Sequence, residues 1–158
     1  MAVYYFDSSV LVKYYMVEPG TSWVRQLVNA DENSFLICDI AIVEVAAAIA
    51  QMQRDRMFGK SLMRATIGHF QRDITEGLFL SHSIGDDTLQ SGARLAMQYP
   101  LKGYDAVQIA SGMLLAQRMA DVEFIFVSGD KKMLKAAESK GLRIDNPFNH
   151  IDEDAPFP

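Results

Sequence analysis

Five short runs of aromatic and branched residues, set apart by stretches with helical spacing, constrain this chain more than any other feature. They are Ala2–Phe6, Ser34–Cys38, Leu78–Ser81, Glu123–Ser128 and Leu142–Ile144. Apolar character sustained over so few residues marks strands buried on both faces of a parallel sheet, rather than half-buried strands of alternating polarity. Between them the helical stretches are Thr21–Asn29, a long helix following Asp39, Ser61–Glu76, Asp87–Tyr99, Asp105–Met119 and Lys131–Lys140. Thr21 and Asp39 are read as N-caps and Gly141 as the residue closing the last helix. Strand alternating with helix gives an α/β class: an open sandwich with a central, mainly parallel five-stranded sheet flanked by helices. A length of 158 residues fits one domain. Residues after Asn146-Pro147, with Pro156 and Pro158 near the end, read as an extended tail.

Charge and cysteine usage narrow the function classes. Fifteen Lys and Arg against twenty Asp and Glu give −5, and four of the acids (Asp145, Asp152, Glu153, Asp154) follow the last basic residue, Arg143. The rest of the chain is close to neutral, so bulk charge does not advertise a nucleic-acid binder, although a locally basic face is compatible with an acidic pocket. Cys38 is the only cysteine, which excludes an intramolecular disulfide and a thiolate zinc cluster. His69, His82 and His150 share no ligand spacing. The opening Met-Ala-Val-Tyr-Tyr-Phe-Asp lacks the basic and apolar regions of a secretion signal, and no apolar run approaches the ~18–20 residues of a membrane span. A soluble, cytoplasmic protein is expected.

In an open parallel sheet, ligands bind outside the carboxyl ends of the strands. Asp7 follows the first strand, and Asp130 follows the fourth in Ser128-Gly129-Asp130. Asp105 opens a helix after Gly103-Tyr104, and Glu44 stands inside the apolar stretch Ile40–Ile49. Each has a structural role open to it: a turn, a helix cap, or an outward position on a mostly buried helix. Together they place several carboxylates at one rim of one sheet. Close like charges repel unless a cation neutralises them. Oxygen donors suit Mg²⁺ or Mn²⁺, and no soft ligand recommends zinc. Such an ion acidifies water and stabilises charge on a phosphoryl oxygen, so phosphodiester hydrolysis is the natural chemistry. Competing acidic folds fail on detail. A receiver domain needs paired acids after its first strand, whereas Asp7-Ser8-Ser9 stands there, and position 9 also lacks the second Asp of a haloacid-dehalogenase-type phosphatase. No phosphate-binding glycine loop and no Gly-x-Ser-x-Gly elbow occurs.

Several blocks in order carry a resemblance. Tyr5-Phe6-Asp7-Ser8-Ser9-Val10-Leu11-Val12-Lys13, with Glu18-Pro19-Gly20 after it, resembles the opening of PIN-domain proteins, specifically VapC-type toxins of bacterial toxin–antitoxin pairs. The likeness continues through Glu44 in its apolar helix, Tyr104-Asp105-Ala106-Val107-Gln108-Ile109-Ala110, Val127-Ser128-Gly129-Asp130-Lys131-Lys132-Met133-Leu134, and Asn146-Pro147. The resemblance implies a PIN-like fold over residues 1–147, with 148–158 an acidic, proline-containing tail outside it. It further implies a homodimer and an Mg²⁺-dependent endoribonuclease, with Mn²⁺ able to substitute, held in check by a cognate antitoxin. Asp7, Glu44, Asp105 and Asp130 correspond to the family's catalytic and metal-holding acids, with Ser8 and Ser128 as supporting hydroxyls. Asp39 departs from the Ser or Thr expected to cap the second helix.

RNA needs phosphate contacts. Lys131 and Lys132 adjoin the proposed site, while Arg54 and Arg56, with Lys60 and Arg64, cluster near the second and third helices; a solvated helix face is the alternative for each. Tyr4, Tyr14, Tyr15 and Tyr104 offer rings for base stacking or for core packing. Met52, Met57, Phe58, Leu62 and Met63 suit an antitoxin groove or an ordinary core. The rival to an enzyme is a catalytically silent PIN-like module that binds RNA or a protein partner through the same groove.

Overall fold

The computed structural model describes residues 1–30 and 32–153. Five strands run parallel in the order β3-β2-β1-β4-β5: β1 (Val3–Phe6), β2 (Ser34–Cys38), β3 (Phe79–His82), β4 (Phe124–Val127) and β5 (Arg143–Asp145). The expected strands are all present, displaced by at most one residue at their ends. The helices are α1 (Ser8–Tyr15), α2 (Thr21–Val28), α3 (Ile40–Arg54), α4 (Lys60–Thr75), α5 (Asp86–Gln98), α6 (Gly103–Arg118) and α7 (Lys131–Ser139).

The side-chain period of two explains why the central strands are apolar throughout. Phe6, Phe35, Ile37, Ile125 and Val127 face one core, with Val10 and Leu11 of α1 and Val45 and Ile49 of α3. Val3, Tyr5, Leu36, Cys38, Phe124 and Phe126 face the other, with Ile109 and Ala110 of α6 and Met133 and Leu134 of α7. Edge strands are more polar: in β3 only Phe79 is buried, and in β5 Arg143 is exposed beside Glu123. On the second face α6 lies very close to the sheet. A Cβ at Gly112 would stand 2.7 Å from the Phe126 ring, so only glycine permits this approach.

Three local expectations change. Helix α1 is an addition, concealed in sequence by the β-branched and aromatic residues Val10, Val12, Tyr14 and Tyr15; it forms because Asp7 caps it and Val10 and Leu11 are fully buried. Asp39 stands at the N-cap position of α3, as expected, but its side chain makes no capping bond. Its backbone is already helical (φ −53°, ψ −30°), which turns the carboxylate away from the first-turn amides and toward the Ser81 hydroxyl on β3. Thr21 is the first residue of α2 rather than its cap, a position held by Gly20 at φ +89° against Pro147.

The segment expected to be an extended tail begins instead with 3₁₀ turns over Pro147–Glu153, kinked at His150. They dock because Trp23 stacks on His150 at 4.2 Å, His150 pairs with Asp145, and Phe148 covers the buried Lys13 ammonium at 4.4 Å. Pro156 and Pro158 lie outside the described residues. No helix among the described residues is long and apolar enough to cross a membrane.

Candidate active site

Strand order reverses between β1 and β4, which are neighbours although β2 and β3 lie to one side and β5 to the other. That reversal opens a crevice at the carboxyl ends of the two strands. Asp7 stands there. As N-cap of α1 it accepts from the Val10 amide at 3.1 Å through Oδ1, which also accepts from the Ser9 hydroxyl at 2.7 Å. Its Oδ2 accepts from the Ser128 hydroxyl at 2.6 Å. Only 4% of Asp7 is exposed. Burial pushes its carboxyl up to about 6, against the pull of the Ser128, Ser9 and Val10 hydrogen bonds and with a further push from the Glu44 charge.

Ser128, fully buried, accepts from the Asp130 amide at 3.0 Å while donating to Asp7. Ser9 also accepts from the Gly129 amide at 2.9 Å, so two hydroxyls lace the β1 and β4 ends together around one carboxylate. Ser8 turns the other way. It donates at 2.7 Å to Glu44 Oε2, which receives Gln108 Nε2 at 2.7 Å as well.

Asp105 and Asp130 sit at helix starts. Asp130 caps α7, Oδ1 accepting from the Lys132 amide at 2.7 Å and the Met133 amide at 3.1 Å. Asp105 does not open its helix: α6 begins at Gly103 with Lys102 as N-cap, and Asp105 reaches back from the third position to the Lys102 amide at 3.3 Å. The helix starts early because the Asp105 carboxylate satisfies that amide, the acidic half of a capping box, while the Lys102 ammonium can return no such bond. Partial burial raises the Asp105 carboxyl above its ordinary range; the Lys102 amide opposes the shift and the Asp130 charge reinforces it.

All four acids line one cleft of about 250 Å³, together with Ser8, Ser9, Gln108, Met133 and the exposed Lys102 and Tyr104. Lys131 and Lys132 are exposed on the first turn of α7, directly after Asp130. Arg54 bonds Gln51 at the far end of α3, and Arg56 follows at φ +60°. At 1.5 Å rise per residue, Arg54 stands about 15 Å along the helix from Glu44. Neither arginine lines the cleft. Met57 and Leu62 are exposed, whereas Met52, Phe58 and Met63 pack against the first core. A larger cavity, about 440 Å³, lies between α1, α2 and α4 beside Tyr14, Arg25 and Asp73, and holds none of the four acids.

Ser9 and Gln108 stand inside the resembling blocks without a role read for either, and Lys102 lies outside those blocks. Ser9 differs from Ser8 by one position on a helix whose orientation only packing fixes, and Gln108 reads as one more residue of an apolar helix.

The donor set is oxygen-only. Among the described residues no three Asp, Glu, His or Cys side chains are gathered tightly enough to hold an ion by themselves. A small hard cation that keeps several waters and takes one or two carboxylates directly fits such a cleft; a fully protein-ligated ion does not.

No family model matches the sequence, and no curated protein matches it either. Solved structures do. PAE2754 from Pyrobaculum aerophilum is similar at TM-score 0.63 and 18% identity, over 96% of this chain and 94% of that one. VapBC2 from Rickettsia felis, bound to a DNA fragment from their promoter, is similar at TM-score 0.61 and 13% identity, over 91% of this chain and 98% of that one. A toxin–antitoxin complex from Klebsiella pneumoniae follows at TM-score 0.56 and 18% identity, over 93% and 98%. What is shared at these identities is the fold: this chain has the PIN-like α/β architecture, five parallel strands between two helical layers.

Proposed function

We propose that this protein is a metal-dependent endoribonuclease that hydrolyses RNA phosphodiester bonds, and that it serves as the toxin of a toxin–antitoxin pair. The observation that carries the reading is the convergence of Asp7, Glu44, Asp105 and Asp130, from four separate places in the chain, on one cleft at the point where strand order reverses. Helix capping accounts for Asp7, Asp105 and Asp130 singly but not for their gathering with Glu44 in one cleft, where burial and a neighbouring acid raise both Asp7 and Asp105. The toxin role draws support from the likeness to a toxin–antitoxin complex and to VapBC2.

Asp7 and Asp105, with Glu44 and Asp130 completing the set directly or through water, are the residues that would hold Mg²⁺ or Mn²⁺. When bound, such an ion supplies acidified water and charge neutralisation at the phosphate. The chain's own groups do the rest. Ser9 and Ser128 fix both Asp7 oxygens, so the carboxylate needs no rearrangement to act. Glu44, held by Ser8, is placed to orient and accept a proton from water. Lys102 is a cation lining the cleft; its ammonium stands over one face of the exposed Tyr104 ring at 5.6 Å, and the opposite face is offered for stacking a base. Lys131 and Lys132 extend the positive rim toward neighbouring phosphates. The protein acts as a homodimer restrained by a partner antitoxin.

The test is incubation of antitoxin-free protein with a mixed single-stranded RNA pool in Mg²⁺, Mn²⁺ or EDTA, beside Asp7→Asn. Cuts that need metal and vanish in the variant support the reading. Folded protein that cuts nothing with either metal favours the silent binding module.

A further inference from the structure

Gln108 is a polar side chain where the helix pattern asks for an apolar one. Its neighbours Ala106, Ile109 and Ala110 are buried in the second core, and Gln108 itself is 1% exposed. Burying an amide is costly unless its hydrogen bonds are met. Here both ends are met. The Tyr5 hydroxyl donates to Oε1 at 2.6 Å, while Nε2 donates to Glu44 Oε2 at 2.7 Å and to Ser8 Oγ at 3.1 Å.

The proton inventory allows one orientation. An ionised carboxylate only accepts, so the amide atom facing Glu44 is the nitrogen. Ser8 gives its single proton to Glu44 and therefore accepts from Gln108. Tyr5 is fully buried, and burial pushes its hydroxyl well above its ordinary range, keeping it a donor. Tyr5 lies two residues before Asp7, and Gln108 lies one turn after Asp105. The amide therefore ties together β1, α3 and α6, which carry or adjoin three of the four acids. A neutral amide also leaves the Glu44 charge intact for a cation, which Lys or Arg at this position would cancel.

We infer that Gln108 is a positioning residue: its amide holds the Glu44 carboxylate facing the cleft in the orientation that receives a hard divalent cation, an inference that rests on the four-carboxylate reading proposed above.

The test is a Mn²⁺ titration of the full chain without RNA, followed by calorimetry or by the electron-spin signal of free Mn²⁺, alongside thermal melts. Gln108→Met keeps the volume and removes the donor, and binds Mn²⁺ about 10–100-fold more weakly, the usual cost of losing an outer partner of a metal ligand. Tyr5→Phe keeps both Nε2 bonds and stays within about threefold of the parent, on the same scale. The double variant Tyr5→Phe/Gln108→Met also removes the buried Tyr5 hydroxyl that would lose its Gln108 acceptor and is as weak as Gln108→Met, so it carries the test if the single variant misfolds. A folded Gln108 variant within about threefold of the parent overturns the positioning role while leaving the metal site standing. Loss of the fold in both Gln108 variants assigns the residue to structural support and overturns it too. A parent protein that binds no Mn²⁺ overturns the metal reading itself.

Discussion

At the floor of the cleft Asp7 and Glu44 are gripped by side chains from other elements, Asp7 also by the Val10 amide of the helix it caps, whereas at the rim Asp105 and Asp130 are gripped by backbone amides of their own helices. The buried Asp7 stands where charge is expensive, and the Ser128 and Ser9 hydroxyls with the Val10 amide offset part of that cost. The rim acids stand where the first turn of a helix offers unpaired N–H groups and a favourable dipole, so they stabilise the fold as well as lining the site. The same residue type thus serves two ends. The buried Asp7 charge works against stability even as its oxygens cap α1, whereas rim charge is structurally useful at a helix start.

Cleavage assays separate the two regions most strongly. Asp7→Asn is expected to lower cleavage by roughly 10³-fold or more, the equivalent of several kcal/mol of lost transition-state stabilisation. Asp130→Asn keeps the helix cap and is expected to lose only about 10–100-fold. Equal losses in the two variants would erase the distinction between floor and rim.

Stability against pH gives the next largest effect. The folded Asp7 carboxyl lies near 6, above its unfolded value of 3.8, so the folded state binds the proton more tightly. Its contribution is therefore fully present below about pH 4 and lost as pH rises through about 6, by up to about 3 kcal/mol. In EDTA, Asp7→Asn should flatten this slope and gain on the parent protein between pH 4.5 and 7.5. Urea unfolding at the two pH values checks it, and parallel curves for parent and variant would contradict the buried-charge account.

Asp130→Ala removes a cap that serves two amides and should cost about 1 kcal/mol, while Asp130→Asn should cost a few tenths. Chemical denaturation measures both, and equal costs would mean that the rim carboxylate does not support its helix. The smallest effect belongs to Lys131→Ala and Lys132→Ala. Each should lower the slope of log affinity for single-stranded RNA against log salt by about 0.7 and leave Mn²⁺ binding unchanged. An unchanged slope would remove these lysines from the RNA path.

The sequence alone carried the strands, because apolar character on both faces is a local pattern: Val3–Phe6 and Phe124–Val127 can pack only between two layers. It also carried the placement of Asp7, Asp105 and Asp130, since the end of a strand and the start of a helix can be read from immediate neighbours, and singled out Glu44 as an acid inside an apolar helix. The rim acids were legible for that reason, apart from the shift that moved Asp105 from the first position of its helix to the third. The floor was legible only as a pair of acids. Beyond the local cap at Asp7, its hydrogen bonds join residues 36, 64, 103 and 121 positions apart, and no local spacing encodes such partners. Helix α1 was hidden behind β-branched residues until the Asp7 cap and the burial of Val10 and Leu11 overrode their propensity. The docking of Pro147–Glu153 on α2 likewise depends on Trp23 and Lys13, contacts distant in sequence. Periodicity and capping are short-range physics, fixed by a residue and its neighbours. The partners of a buried polar group are long-range physics, and only the packed sheet and helices decide them.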